Sequence, residues 1–242
     1  MPTDHGYRAG PLKGEGRQIS RRYSQELSVI PRRASPWNDG EYLIPSRFHA
    51  SIYRMFTVFR GGRSGAWRVT RFAPVKGASL APTPALSVVH TLTIALPILP
   101  SLTSWRLAGV ASHLRYTERP EKSELDAVRA EIGRPEATHA ALIPIKKSAA
   151  WWDLTQEERR EIFEDKSQHI AASLKYLPAI ARQLYHSRDL GEPFDFLTWF
   201  EYAPEHADAF EELVGTLRAS EEWKFVEREV DIRMERERLD AS

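Results

Sequence analysis

The order of patterns between Ala140 and Arg233 constrains the fold more than any other feature of the chain. Ala140 to Ile145 reads as a strand, Thr155 to Leu177 as one helix or two in series, and Ala181 to Ser187 and Phe194 to Tyr202 as strands. His206 to Arg218 reads as a helix and Phe225 to Arg233 as a closing strand. The distinction rests on period: apolar residues spaced by three and four line one face of a helix, whereas short alternating or continuous apolar runs suit strands. Gly191-Glu192-Pro193 supplies a turn between the two middle strands, since glycine and proline have the backbone preferences that reversal needs. Thr155 followed by Glu158 forms a capping box that fixes the start of the long helix. Strand, helix, strand, strand, helix, strand is the ferredoxin-like order, so the predicted class is α+β.

His169 lies within the long helical pattern, on or beside an apolar stripe of Ile162, Phe163, Ile170, Leu174 and Leu177. Ala171 and Ala172 follow it, small enough for a broad flat group such as a tetrapyrrole to approach the helix while the imidazole points at its centre. The local pattern by itself also suits an ordinary core or surface histidine.

The upstream chain is less regular. Residues 1–54 carry Arg8, Arg17, Arg21, Arg22, Arg32 and Arg33 among scattered Gly and Pro. Without sustained apolar periodicity, they are expected to be a disordered extension or to precede a true start at Met55. No continuous apolar stretch leads to a small-residue cleavage site there, which argues against a secretory signal and for the cytoplasm. Phe56 to Phe59 and Trp67 to Phe72 are strand candidates around a Gly61-Gly62 turn, and Trp105 to Tyr116 is a longer one. Thr91 to Leu102 is apolar but holds Pro97 and Pro100 and is too short to span a bilayer. Pro120 opens a helix that runs to Glu131 and ends at Gly133 and Pro135.

Composition narrows the chemistry. A chain of 242 residues with 42% hydrophobic content can bury a sizeable core as one globular unit or two small ones. A formal net charge of +1 shows no large basic excess of the kind that suggests nucleic acid. Cysteine is absent, which excludes disulfides, thiolate-ligated haem, iron–sulfur clusters and covalent CxxCH attachment. The eight histidines include no pair three or four residues apart, so a local two-histidine metal motif is missing. One axial histidine suffices for a non-covalent haem.

Three stretches resemble the chlorite dismutase family of haem b proteins, and most closely its short, dimeric branch. They are AALIPIKKSAAWW, then DKSQHIAASLKYLPAIARQLYHSRDLGEPFDFLTWFEYAPEH, then EEWKFVEREVDIR. The similarity runs from about Met55 to Arg233 and is dense after Arg134. The resemblance implies a dimeric α+β barrel built from ferredoxin-like modules. Residues 55–135 would form a reduced N-terminal half and residues 136–242 the haem-binding half, although no internal sequence repeat relates them.

The resemblance also implies roles. His169 would be the proximal iron ligand, with one haem b held non-covalently per subunit of a homodimer. Glu222, with Glu221 adjacent, would accept the other imidazole N–H. Arg182 would be the distal arginine, where a permanently charged planar guanidinium can hold a small oxyanion. Lys147, Trp151 and Trp152 form a K-x-x-x-W-W element which, with Tyr116, would bind the haem propionates. Leu184, Thr198 and Phe200 would line the distal side. The implied activity converts chlorite to chloride and dioxygen through ferryl haem and a transient hypochlorite that Arg182 retains. A related coproheme decarboxylase branch uses a tyrosine four residues before the lysine, where this chain has Ile143, and usually lacks the arginine. A weak haem peroxidase or a haem-binding protein without chlorite turnover is a second alternative, and a purely structural dimer of ferredoxin-like modules with an empty pocket is the third.

Overall fold

The computed structural model describes residues 55–93, 102–111 and 117–237. The expectation for residues 1–54, the position of Tyr116 and most of the Thr91 to Leu102 stretch therefore lie outside the described residues. Eight strands appear: β1 (Phe56–Gly62), β2 (Trp67–Lys76), β3 (Ala85–Thr91), β4 (Thr103–Ala111), β5 (His139–Lys147), β6 (Ala181–His186), β7 (Phe196–Tyr202) and β8 (Val226–Arg236). They close into one barrel in the order β1-β3-β2-β8-β5-β7-β6-β4. Every pairing is antiparallel.

Two identical orders are nested in that ring. In the C-terminal half the last strand lies beside the first, then the third, then the second, which is the ferredoxin-like arrangement predicted from the sequence. The N-terminal strands repeat the same order, β4-β1-β3-β2. The halves join along β2 and β8, from Trp67 opposite Arg236 to Lys76 opposite Glu229, and by a short β4 to β6 contact at Val110–His186 and Ala111–Tyr185.

The N-terminal half reaches its order without a helix between β1 and β2, which are linked by residues 63–66 alone. Gly62 and Arg68 both lie opposite Ala85, so β2 begins beside the end of β1. It pairs with β3 through only two residues and then runs on along β8, so no return crossover is needed. The expected Gly61-Gly62 turn is corrected here, because both glycines belong to β1. Gly61 serves close approach: a Cβ on it would sit 2.2 Å from the Trp105 ring.

Alternation along β5 and β7 divides the apolar residues between two cores. Ala140, Leu142, Leu197 and Trp199 point into the barrel, where Trp199 meets Phe59 and Trp67 at ring centroid distances of 5.5 and 5.3 Å. Ala141, Ile143, Ile145, Phe196 and Phe200 lie with the outer core, which is covered by helices. The largest of these is α5 (Ala207–Arg218), whose Phe210, Leu213, Val214 and Leu217 face the sheet. The other helices are α1 (Arg119–Val128), α2 (Ala149–Asp153), α3 (Gln156–Arg160) and α4 (His169–Leu174). The capping box at Thr155 is present at the start of α3. No helix among the described residues is long and apolar enough to cross a membrane.

Below α5, β8 carries carboxylates with no exposed surface, Glu229 and Asp231. Arg218 reaches both, at 2.5 and 2.8 Å, and Arg233 holds Asp231 from the strand itself. Burial alone would raise the pKa of Asp231, but the two guanidinium partners outweigh it and hold the carboxyl below its ordinary value of 3.8. In that range the unfolded chain therefore binds more protons than the folded one, and stability falls with falling pH. We expect unfolding free energy to be lost as pH drops through the carboxylate range, and Asp231→Asn to flatten that acid limb. Urea titrations at stepped pH check it; parallel acid limbs in the two proteins would remove Asp231 as a contributor.

Candidate active site

The outer faces of β5, β7 and β6 form the floor of a broad cleft, roofed by α1, α4 and α5. The register sets the floor as three rungs. Ala141 lies opposite Phe200 and Phe200 opposite Arg182; Ile143, Thr198 and Leu184 make the middle rung; Ile145, Phe196 and His186 make the third. Arg182, Leu184, Thr198 and Phe200, all singled out in the sequence, are thus neighbours on one surface.

His169 stands on the roof, but not in mid-helix as its spacing suggests. The chain after α3 widens into a π-helical turn at Glu161–Lys166, and Gln168 then adopts a left-handed conformation with φ of 49°. His169 is the first residue of a new helix, α4. The break is stabilised by Glu164, whose carboxylate accepts from the backbone N–H groups of Ile170 (2.7 Å) and Ala171 (3.2 Å). An acid there satisfies helix N–H groups that have no partner within the helix and suits the positive end of the dipole. The expectation that Ala171 and Ala172 let a flat group approach is corrected, because the cleft face of this segment carries His169, Ile170, Ser173 and Leu177. Ala171 points to solvent.

The imidazole is held from behind. His169 Nδ1 lies 2.7 Å from Glu222 Oε2, with both side chains buried. Of the adjacent acids it is Glu222 that turns inward, whereas Glu221 pairs with Lys224 at the surface. Burial pushes the Glu222 pKa up, but the Lys147 ammonium and His169 outweigh it and bring it down to about 2. An ionised carboxylate can only accept, so Nδ1 is the donor and a neutral ring has its lone pair on Nε2. Nε2 is buried without a hydrogen-bond partner among the described residues. Leaving such a group unsatisfied costs about 1–3 kcal/mol. Phe163 stacks on the ring at 4.3 Å.

These features fit haem. A ligating histidine donates one N–H to a second acceptor and offers the other nitrogen to the metal, and the cleft beside Nε2 is lined mainly by apolar side chains. No cluster of three His, Asp or Glu among the described residues could hold a bare metal ion.

Lys147 takes a different partner from the propionates expected of it. A register shift at the end of β5 turns its side chain toward Glu222, and Nζ lies 2.7 Å from Oε1, buried between the rings of Trp151 (4.5 Å) and Trp223 (5.6 Å). Trp151 is buried at the cleft wall. Trp152 points elsewhere: its N–H donates to Asp195 (3.2 Å), its ring stacks on Phe196, and Arg188 covers one face at 3.8 Å. It supports the start of β7 and is absent from the cleft lining.

Across from His169, Arg182 is half-buried, and its guanidinium has no hydrogen bond or ion pair to any described residue. Burial lowers its pKa, the Glu222 charge raises it, and Arg129 lowers it further. A guanidinium nevertheless stays protonated. Phe163, Ser173, Phe196, His186 and Trp223 also line the site. Of these, the sequence reading marked only Phe163, through its place in the apolar stripe.

A sequence model of the family described as chlorite dismutase matches residues 101–237, more than half of the 242-residue chain. The chain belongs to the chlorite dismutase family. A curated chlorite dismutase from Ideonella dechloratans is 33% identical over 102 residues, covering 39% of this chain and 33% of that protein. The match therefore spans about a third of that relative's length. Among solved structures, a dimeric chlorite dismutase from Nitrobacter winogradskyi shares 66% identity, covers 75% of this chain and 99% of its own, and superposes with a TM-score of 0.68. Chlorite dismutase from Candidatus Nitrospira defluvii in complex with imidazole, at 23% identity and a TM-score of 0.56, covers 76% and 92% and shares the fold.

The Lys147–Glu222 pair makes a direct prediction. Lys147→Met should lower the stability of the protein by about 3–5 kcal/mol by leaving Glu222 charged and buried with one partner fewer. Adding Glu222→Gln should recover part of the loss. Urea unfolding of the single and double variants measures it, and additive losses would show that the two side chains are independent.

Proposed function

We propose that this protein binds one non-covalent haem b per subunit and converts chlorite to chloride and dioxygen, acting as a homodimer. The observation that carries the reading is the bare, buried Nε2 of His169, backed by Glu222 and facing a cleft that also holds an unpaired guanidinium at Arg182. The homodimer rests on the dimeric relative of 66% identity.

Bound in the cleft, haem would supply the oxygen transfer from chlorite and the O–O bond formation, the redox chemistry for which proteins rely on cofactors. The chain supplies position and charge. His169 would ligate through Nε2, with its ring orientation and proton fixed by Glu222, and the charge of Glu222 is balanced by Lys147. Arg182 would hold the anion, first chlorite and then the hypochlorite formed from it, because a charged fork in an apolar setting binds oxyanions far more strongly than one in water. Retention matters for outcome: hypochlorite kept in place can complete the reaction, whereas hypochlorite that leaves oxidises protein. Ile143, Leu184 and Phe200 limit water and competing donors at the floor.

Coproheme decarboxylation is disfavoured by the same floor. Ile143 occupies the middle rung, and no tyrosine is among the described cleft-lining residues.

Reconstitution with hemin should give a Soret band, and chlorite should release one O2 each in an oxygen-electrode cell. His169→Ala should lose most of the Soret intensity. Arg182→Ala should keep haem, turn over more slowly and release more hypochlorite to a chlorination probe. Full haem retention in the first variant would falsify the ligand assignment; unchanged rate and leakage in the second would remove Arg182 from the reaction.

A further inference from the structure

Helix α1 covers one side of the cleft, yet none of its residues is buried. Polar contacts hold it: Glu121 forms a two-pronged pair with Arg160 at 2.8 and 2.6 Å, the Ala130 N–H donates to the Leu177 carbonyl at 3.3 Å, and Arg129 donates to Gln183 Oε1 at 2.5 Å. The last contact lies on β6, beside the strands' β4 to β6 pairing. Among the described residues β4 meets β6 at His186 and Tyr185, two residues and more beyond Gln183. Arg129 reaches β6 from outside while also lining the cleft.

Charge sets Arg129 apart from the other cations near the site. Arg160, Arg218 and Arg233 each pair with carboxylates, and Asp126, one turn before Arg129, is held by Lys122. Among the described residues the Arg129 side chain is bound by the neutral Gln183 amide alone, and the Arg182 side chain by none. Two guanidinium groups with no ion-pair partner among the described residues therefore share one apolar-floored cleft, and Arg129 lies near enough for its charge to act on Arg182, opposing the effect of the Glu222 charge. Like charges so placed repel, and a small anion between or beside them relieves the repulsion.

The geometry points to Arg129 as a second anion-binding group of this cleft, an outer station at its mouth that draws in a small oxyanion such as chlorite and delivers it to Arg182. This rests on the haem and chlorite reading above and adds a residue to it. The exposed outer charge raises the local anion concentration and is screened by salt, whereas the half-buried inner one holds what arrives.

The test uses the ferric haem-loaded protein and follows ligand association by stopped-flow at the Soret band over a range of ionic strength. Azide is the anionic probe and imidazole the neutral one. For Arg129→Gln we expect azide association to slow about three- to tenfold and its dependence on ionic strength to flatten, with imidazole unchanged and Arg129→Lys close to wild type. Unchanged azide kinetics would overturn the proposal. Equal slowing of azide and imidazole would overturn it too, since Arg129 would then only latch α1. Hemin retention supplies a further arm: if Arg129→Gln weakens retention of hemin but not of its dimethyl ester, with azide unaffected, the anion is a haem propionate and the approach role is wrong. Wild-type protein that takes up no hemin would overturn the haem reading itself, and this inference with it.

Discussion

The carboxylate of Glu222 is the point on which the site depends. It is buried, it is charged, and it has one oxygen for His169 and one for Lys147. A buried carboxylate is tolerated only when paired and hydrogen-bonded. Its two partners come from different layers, the end of β5 and the start of α4. One ion cluster thereby ties sheet to roof and fixes which imidazole nitrogen faces the cleft. The tryptophans on either side of Lys147 extend the arrangement, since each ring face favours a cation and excludes water from it.

That cluster is usable because β5 and β7 each serve two cores. Their alternate residues pack the barrel interior and floor the cleft, so the spacing of Arg182, Leu184, Thr198 and Phe200 is set by strand pairing. Sites built on paired strands hold their geometry better than sites on loops. The apolar neighbours of Arg182 on this lattice also explain why its guanidinium has no ion-pair partner among the described residues.

The sequence showed what was local and periodic. The six elements of the C-terminal half, α5 among them, and the Thr155 capping box were legible, and each stands close to its expected bounds. β3 was not legible, because its burial grades from buried Ala85 and Leu86 to exposed His90 rather than alternating. The break before His169 was hidden for another reason: neither Gly nor Pro marks it, and a side chain, Glu164, stabilises it through backbone contacts six and seven residues on. A periodic apolar stripe passes over such a discontinuity without registering it. The resemblance pointed to Lys147 but could not show its partner, which lies 75 residues further along the chain. Nor can period separate Glu221 from Glu222 within a short turn. Only the folded arrangement does.

The repeated strand order has a consequence for how many clefts a barrel of this kind can hold. A sheet face becomes a pocket when a crossover helix stands over it, and a crossover is needed only where parallel strands start from the same end. Staggering β2 past β3 removes that need between β1 and β2 and leaves their link at residues 63–66 with nothing to build a roof from. Two topologically matched halves thus differ at their first link through the offset of a single strand. At that link the length of a loop, and not the choice of any ligand residue, decides whether the sheet face gains a cover.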